Sequence, residues 1–212
     1  MWLAAVAFAE TVREAFPPPA GARRVAADAF GEHVRDLPLL PPGTPVRAYD
    51  GRVIEMYAAR VVDLPLPKVD LQQCADSILR VRAEWERAQG RSPAFHYTSG
   101  QLSRWSAWGG SWESWLLDLF TYAGTRSLPL DTVADTEPSP GDLLVTPGSP
   151  GHAVLLLDVA TDGRDTWVLA GQGYMPAMSF HVASPGWRRV EGDRLVVWPL
   201  PMPWSGLRRW KG

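Results

Sequence analysis

The sequence predicts an α+β fold in which N-terminal helices pack on a C-terminal antiparallel sheet. Before Gly141, apolar residues recur at three- and four-residue spacings, as a helix with one buried face requires. From Gly141 onward they fall in short extended runs separated by Gly, Pro and Asp. Helices followed by a meander of strands is the order that places helices on one face of an antiparallel sheet. The chain has 212 residues, 46% of them apolar, which suits one core. The expected organisation is a single domain over residues 1–212, helical and proline-rich over 1–140 and β-rich over 141–200.

Residues 2–16 read as a short helix closed by Pro17-Pro18-Pro19. A proline-rich connection follows, and Asp50-Gly51 signals a turn between Val46–Tyr49 and a loosely alternating strand over Arg52–Asp63. The strongest helix spans 71–89, with Asp70 as N-cap, Gln73 as its capping-box partner and Gly90 as its stop. On that reading Cys74 sits about one turn inside, on the apolar face. Phe95–Thr98 reads as a short strand, and Trp112, Trp115, Leu116, Leu119 and Phe120 mark a second amphipathic helix ended by Gly124. Strands are expected over 142–146, 153–159, 166–170, 178–182 and 195–199. The run Ala153–Val159 is apolar on both faces, which places it centrally in the sheet.

Lys and Arg number 21 against 23 Asp and Glu, both signs spread along the chain, so no basic stripe marks a nucleic-acid partner. No apolar run approaches the roughly 20 residues needed to span a bilayer. A lone cysteine forms no internal disulfide, and the N-terminus lacks the basic region of a signal peptide. The expected location is the cytoplasm as the chain stands, or the cell envelope if a leader has been removed. His33, His96 and His181 show no metal-ligand spacing, and no glycine-rich phosphate loop is present, so no metal or cofactor is expected.

The chemistry signal lies at Gly148-Ser149-Pro150-Gly151-His152. A Pro-Gly turn puts His152 at the mouth of the central strand, where the backbone fixes the imidazole as a general base requires. The next strand ends at Gly171-Gln172-Gly173-Tyr174, so Gln172 is placed to hydrogen-bond the far ring nitrogen. Cys74, near a helix start, is the matching nucleophile, because the helix dipole favours thiolate. Packing is the competing reading for each: free cysteine is among the most buried residue types, and a glutamine after a strand serves local backbone bonds. Candidate substrate contacts are Gln73 beside the cysteine, Ser99 and Arg104 flanking a strand end, Trp105 and Tyr174. Trp105, Trp108, Trp112 and Trp115 form either a ligand platform or a part of the core.

A cysteine at a helix start, a histidine opening a strand and a polar residue on the next strand resemble the NlpC branch of papain-like peptidases and amidases. Gly141-Asp142 to Gly151-His152-Ala153-Val154 is similar to that family's histidine motif, whereas Gln72-Gln73-Cys74-Ala75 departs from its Asp-Cys-Ser-Gly. The resemblance implies a papain-like, NlpC-like fold and a thiol hydrolase with a Cys-His-Gln site acting on peptide or peptidoglycan-like substrates. A longer resemblance runs through Asp70-Leu71-Gln72-Gln73-Cys74-Ala75-Asp76, Phe120-Thr121-Tyr122-Ala123-Gly124-Thr125 and Tyr174-Met175-Pro176-Ala177 to the bacterial domain of unknown function 4846. It implies no established activity and suggests an envelope or lipoprotein setting. The alternative function is a non-catalytic peptide- or glycan-binding module that uses the Trp-rich loop.

Overall fold

A computed structural model, which describes residues 9–197 and 200–211, realises the change from helical to extended periodicity near Gly141. The helices are α1 (Val12–Ala15), α2 (Ala29–Arg35), α3 (Cys74–Ala88), α4 (Trp112–Tyr122) and α5 (Leu128–Asp131). The first strands are β1 (Arg23–Arg24), β2 (Ala58–Val61), β3 (Ala94–His96), β4 (Leu102–Arg104) and β5 (Thr132–Ala134). Then follow β6 (Leu143–Thr146), β7 (His152–Thr161), β8 (Thr166–Gln172), β9 (His181–Ala183) and β10 (Arg188–Arg189). The last are β11 (Arg194–Val197), β12 (Leu200–Pro203) and β13 (Leu207–Trp210).

The main sheet is antiparallel, in the order β2-β9-β8-β7-β6-β13-β5, with β1 added to β7 and β10 to β8. The strand expected to be central, β7, is the middle one. Its Ala153, Leu155 and Leu157 face the helices, packing with Ile78 and Leu79 of α3 and Trp115 and Leu119 of α4. Its Val154 and Leu156 face the other way, against Val168, Leu195, Val197 and Met202, so both faces of the strand are covered. A register shift between Leu156 and Asp158 inserts one residue, after which Val159 joins the second cluster. The edges come from outside 141–200, since β2 and β5 precede that stretch and β13 follows it.

Three expected boundaries move, each for a local reason. Thr11 has extended backbone and caps α1, with the Glu14 carboxylate accepting its N–H at 2.8 Å, so the helix begins at Val12; residues 2–8 of the expected helix lie outside the described residues. The hairpin at Asp50-Gly51 forms, with Gly51 at φ +88° and Ala48 N–H bonded to Arg52 O at 2.8 Å, but it stops at the single bridge Arg47–Val53. Pro41, Pro42 and Pro45 just upstream have no N–H with which to extend it, and Ala58–Val61 pairs with β9 instead. The strongest helix begins at Cys74 with Gln73 as N-cap, because the Asp76 carboxylate accepts the Gln73 N–H at 3.0 Å. Asp70 accepts the N–H of Ala177 at 2.6 Å instead of capping the helix.

Candidate active site

The start of α3 and the start of β7 meet because two glycines leave room. A Cβ on Gly173 would stand 2.7 Å from Ser77 Oγ and 3.0 Å from Gln73 O, so the end of β8 presses against the first turn of α3 only without a side chain. Gly151 is as confined, since a Cβ would run into Thr125 Oγ1 and lie 2.8 Å from Thr146 O. Cys74 thus begins the helix beside the sheet, where the backbone N–H of Ala153, the residue after His152, acts on its sulfur. It also lines a cleft of about 270 Å³ with Gln73, Asp76, Thr125, Gly151 and Met175.

His152 is 1% exposed and is not among the residues that line this cleft. Its Nε2 is 2.9 Å from Gln172 Oε1, and its ring meets Tyr174 edge-on at 5.4 Å between centroids. Its Nδ1 is buried and has no hydrogen-bond partner among the described residues, so the thiol of Cys74 does not donate to it. Burial pushes the imidazole pKa down, partly offset by Gln172.

Burial also decides the state of the thiol. Cys74 is 8% exposed, and desolvation pushes its pKa up against the N–H groups of Ala153 and Ala75, with Asp76 pushing the same way as burial. The depressed thiol pKa expected from the helix dipole is therefore not found, because lost hydration outweighs the amides at the helix start. Asp76 is itself raised to about 8 by burial, above the pull of the Gln73 N–H, and its Oδ1 has no partner among the described residues. Burial thus favours the neutral form of the Cys74 thiol, the His152 imidazole and the Asp76 carboxyl group alike.

Of the residues singled out in the sequence, Cys74 and Gln73 share the cleft, and His152, Gln172 and Tyr174 form a second group that does not line it. Ser99, Arg104 and Trp105 are elsewhere. Ser99 sits in the β3–β4 turn and accepts the Gln101 N–H at 3.3 Å, beside a separate hollow containing Tyr97 and Tyr122. Arg104 is exposed at the end of β4 and lines a groove with Arg91 and Lys211. Trp105 packs edge-on against Trp112 at 5.2 Å, while Trp112 and Trp115 are buried. Trp115 donates to Ser103 Oγ and Trp108 to Ser114 Oγ, both at 2.9 Å. Trp112 and Trp115 are core, Trp105 and Trp108 are half-buried against it, and none of the four lines the cleft.

Sequence reasoning missed Asp76 and His181. Asp76 carried a signal, an acid three residues after the true N-cap. His181 carried none, because its importance depends on standing opposite Gln172 in the β8–β9 register. No group of three His, Cys, Asp or Glu among the described residues is arranged to hold a metal, and no described helix is long and apolar enough to cross a membrane.

No curated protein and no solved structure matches the chain. A family model does, over residues 12–112 and 109–189, and by that match the chain belongs to the family described as domain of unknown function (4846).

Proposed function

We propose that the Cys74 cleft is the active site of a thiol hydrolase on a papain-like, NlpC-like scaffold that cleaves an amide bond, with peptide or peptidoglycan-like stem peptides as substrates. What supports this reading is a cleft-lining cysteine whose sulfur is acted on by the N–H of Ala153, the residue after His152, together with a buried His152 whose Nε2 meets Gln172 and whose Nδ1 has no partner among the described residues. A buried ring nitrogen without a partner costs stability, and a base waiting for a proton is a reason to keep one. The substrate class comes from the resemblance of the histidine segment to NlpC-type enzymes.

With thiol and imidazole both neutral at rest, the proton moves during attack. The Cys74 sulfur bonds to the substrate carbonyl carbon as its proton passes to His152 Nδ1, and the Ala153 N–H and the amides opening α3 stabilise charge developing on sulfur. Nδ1 then protonates the leaving amine as the C–N bond breaks, and water cleaves the thioester to return the thiol.

A peptidyl vinyl sulfone, used with intact-mass analysis at pH 7, tests this. One adduct is expected, on Cys74, and His152→Ala should slow its formation by about 10²–10⁴-fold, the usual worth of a positioned base. Labelling that ignores His152, or that appears only after unfolding, leaves a packing cysteine and returns the cleft to a binding role.

A further inference from the structure

Behind His152 three contacts run in series. His181 Nδ1 lies 2.9 Å from the carbonyl oxygen of Ser179, His181 Nε2 lies 3.5 Å from Gln172 Nε2, and Gln172 Oε1 lies 2.9 Å from His152 Nε2. The chain of contacts has one consistent proton assignment, and it starts from the group with no choice. A carbonyl oxygen only accepts, so His181 Nδ1 carries a proton. His181 is fully buried, which pushes its pKa down to about 4, so at neutral pH it carries that proton alone and Nε2 presents a lone pair.

That lone pair accepts from the Gln172 amide NH₂ and would repel the amide oxygen, which fixes which end of the amide faces which histidine. The oxygen turns to His152, where it accepts the proton of Nε2. His152 has one proton in its neutral form, so its Nδ1 is left bare. Gln172 and His181 are direct cross-strand partners in the β8–β9 ladder, which brings their side chains together on one face of the sheet.

We propose that His181 is a positioning residue: acting through Gln172, it selects the His152 tautomer protonated on Nε2 and so leaves Nδ1 as the basic nitrogen. The tautomer assignment rests on hydrogen-bond geometry and on the burial that keeps both rings neutral, and its catalytic consequence rests on the thiol-hydrolase reading above.

The test is a two-bond ¹H–¹⁵N correlation spectrum of the full chain labelled with ¹⁵N-histidine, with four histidines to assign and His152→Ala and His181→Phe identifying two of them. In the wild type His152 should show a pyridine-like Nδ1 and a pyrrole-like Nε2, and His181 the reverse. His181→Phe should shift both His152 nitrogens toward an averaged position as the amide NH₂ loses the His181 lone pair. Adding Gln172→Glu to that variant should restore the wild-type pattern, because a carboxylate accepts from His152 Nε2 with either oxygen. A merely structural His181 gives no such rescue. A wild-type His152 protonated on Nδ1 overturns the inference, as does a His181→Phe protein that keeps the single wild-type tautomer. If His181→Phe does not fold, the wild-type assignment of the two rings still decides the matter. The spectrum is indifferent to whether Cys74 is a nucleophile, so this inference and the hydrolase reading fail by separate results.

Discussion

Asp158 and His152 lie on the same central strand, both sealed from water, and the fold treats them in opposite ways. Asp158, next to the bulge, has its Oδ2 at 2.5 Å from Arg24 Nε and its Oδ1 at 2.7 Å from Arg35 Nε and 2.9 Å from the Val159 N–H. Arg35 is held in turn by Glu32 and by Val25 O, each at 2.7 Å. His152, where the strand begins, has one ring nitrogen bonded and the other with no partner among the described residues. A buried polar group left without a partner costs about 1–3 kcal/mol. A polar group that serves only the fold tends to be satisfied as Asp158 is. On the proposed reading, the unpartnered nitrogen is the base that takes the thiol proton.

The largest effect expected from this contrast is at the satisfied end. Asp158→Ala leaves the buried Arg35 guanidinium facing a void and should lower unfolding stability by about 3–5 kcal/mol, the cost of breaking a buried pair from one side. Urea unfolding measures it. A loss under about 1 kcal/mol would mean that Glu32 and Val25 O suffice for Arg35, and that the two ends of the strand differ less than their hydrogen bonds suggest.

How legible each end was in the sequence follows the same division. The central strand was legible because Ala153–Val159 is apolar on both faces, a local property. His152 and Gln172 were legible because the Pro-Gly turn and the strand end sit beside them in sequence. The Asp158 network was not, since Arg24 and Arg35 reach it from more than 120 residues away. The thiol state was misread for a related reason: the helix dipole is local, whereas the burial that outweighs it comes from residues far along the chain, such as Phe120, Gly151 and Met175 around the cleft. The tryptophans at 105–115 were legible as an aromatic stripe, but its division into buried Trp112 and Trp115 and half-buried Trp105 and Trp108 was not, since Ser103 and Ser114, which accept from Trp115 and Trp108, carry no signal of their own.

Asp76 stands between the two cases, with one oxygen bonded to the Gln73 N–H and the other unpartnered beside Cys74. Its folded pKa of about 8 lies above the roughly 3.9 of an exposed aspartate. Between those values the folded chain holds a proton that the unfolded chain has released. Stability from this group is thus full below about pH 4 and is lost as pH rises through about 8, at no more than about 1.4 kcal/mol per pH unit. Asp76→Asn, which keeps an oxygen for Gln73, should flatten that slope relative to wild type in urea unfolding from pH 5 to 9. It should also move the alkylation midpoint of Cys74 to lower pH by removing a negative neighbour. Parallel wild-type and variant stability curves would show that Asp76 is ionised and solvated in the folded state.

The smallest change in stability is expected at His152 itself. His152→Phe replaces a ring that has an unpartnered buried nitrogen with an apolar ring of similar size. The substitution removes one hydrogen bond to the Gln172 oxygen but also removes the orphan Nδ1 and adds apolar surface to a buried position, so the terms oppose one another. The net shift in unfolding stability should stay within about 1 kcal/mol, well below that of Asp158→Ala. Vinyl sulfone labelling of Cys74 at pH 7 should fall as far as it does in His152→Ala, because no base remains to take the thiol proton. The pair of measurements separates the roles that the two ends of the strand play. A large loss of stability with unchanged labelling would make His152 a second Asp158, a polar group kept for the fold, and would remove the main support for placing chemistry at this end of the sheet.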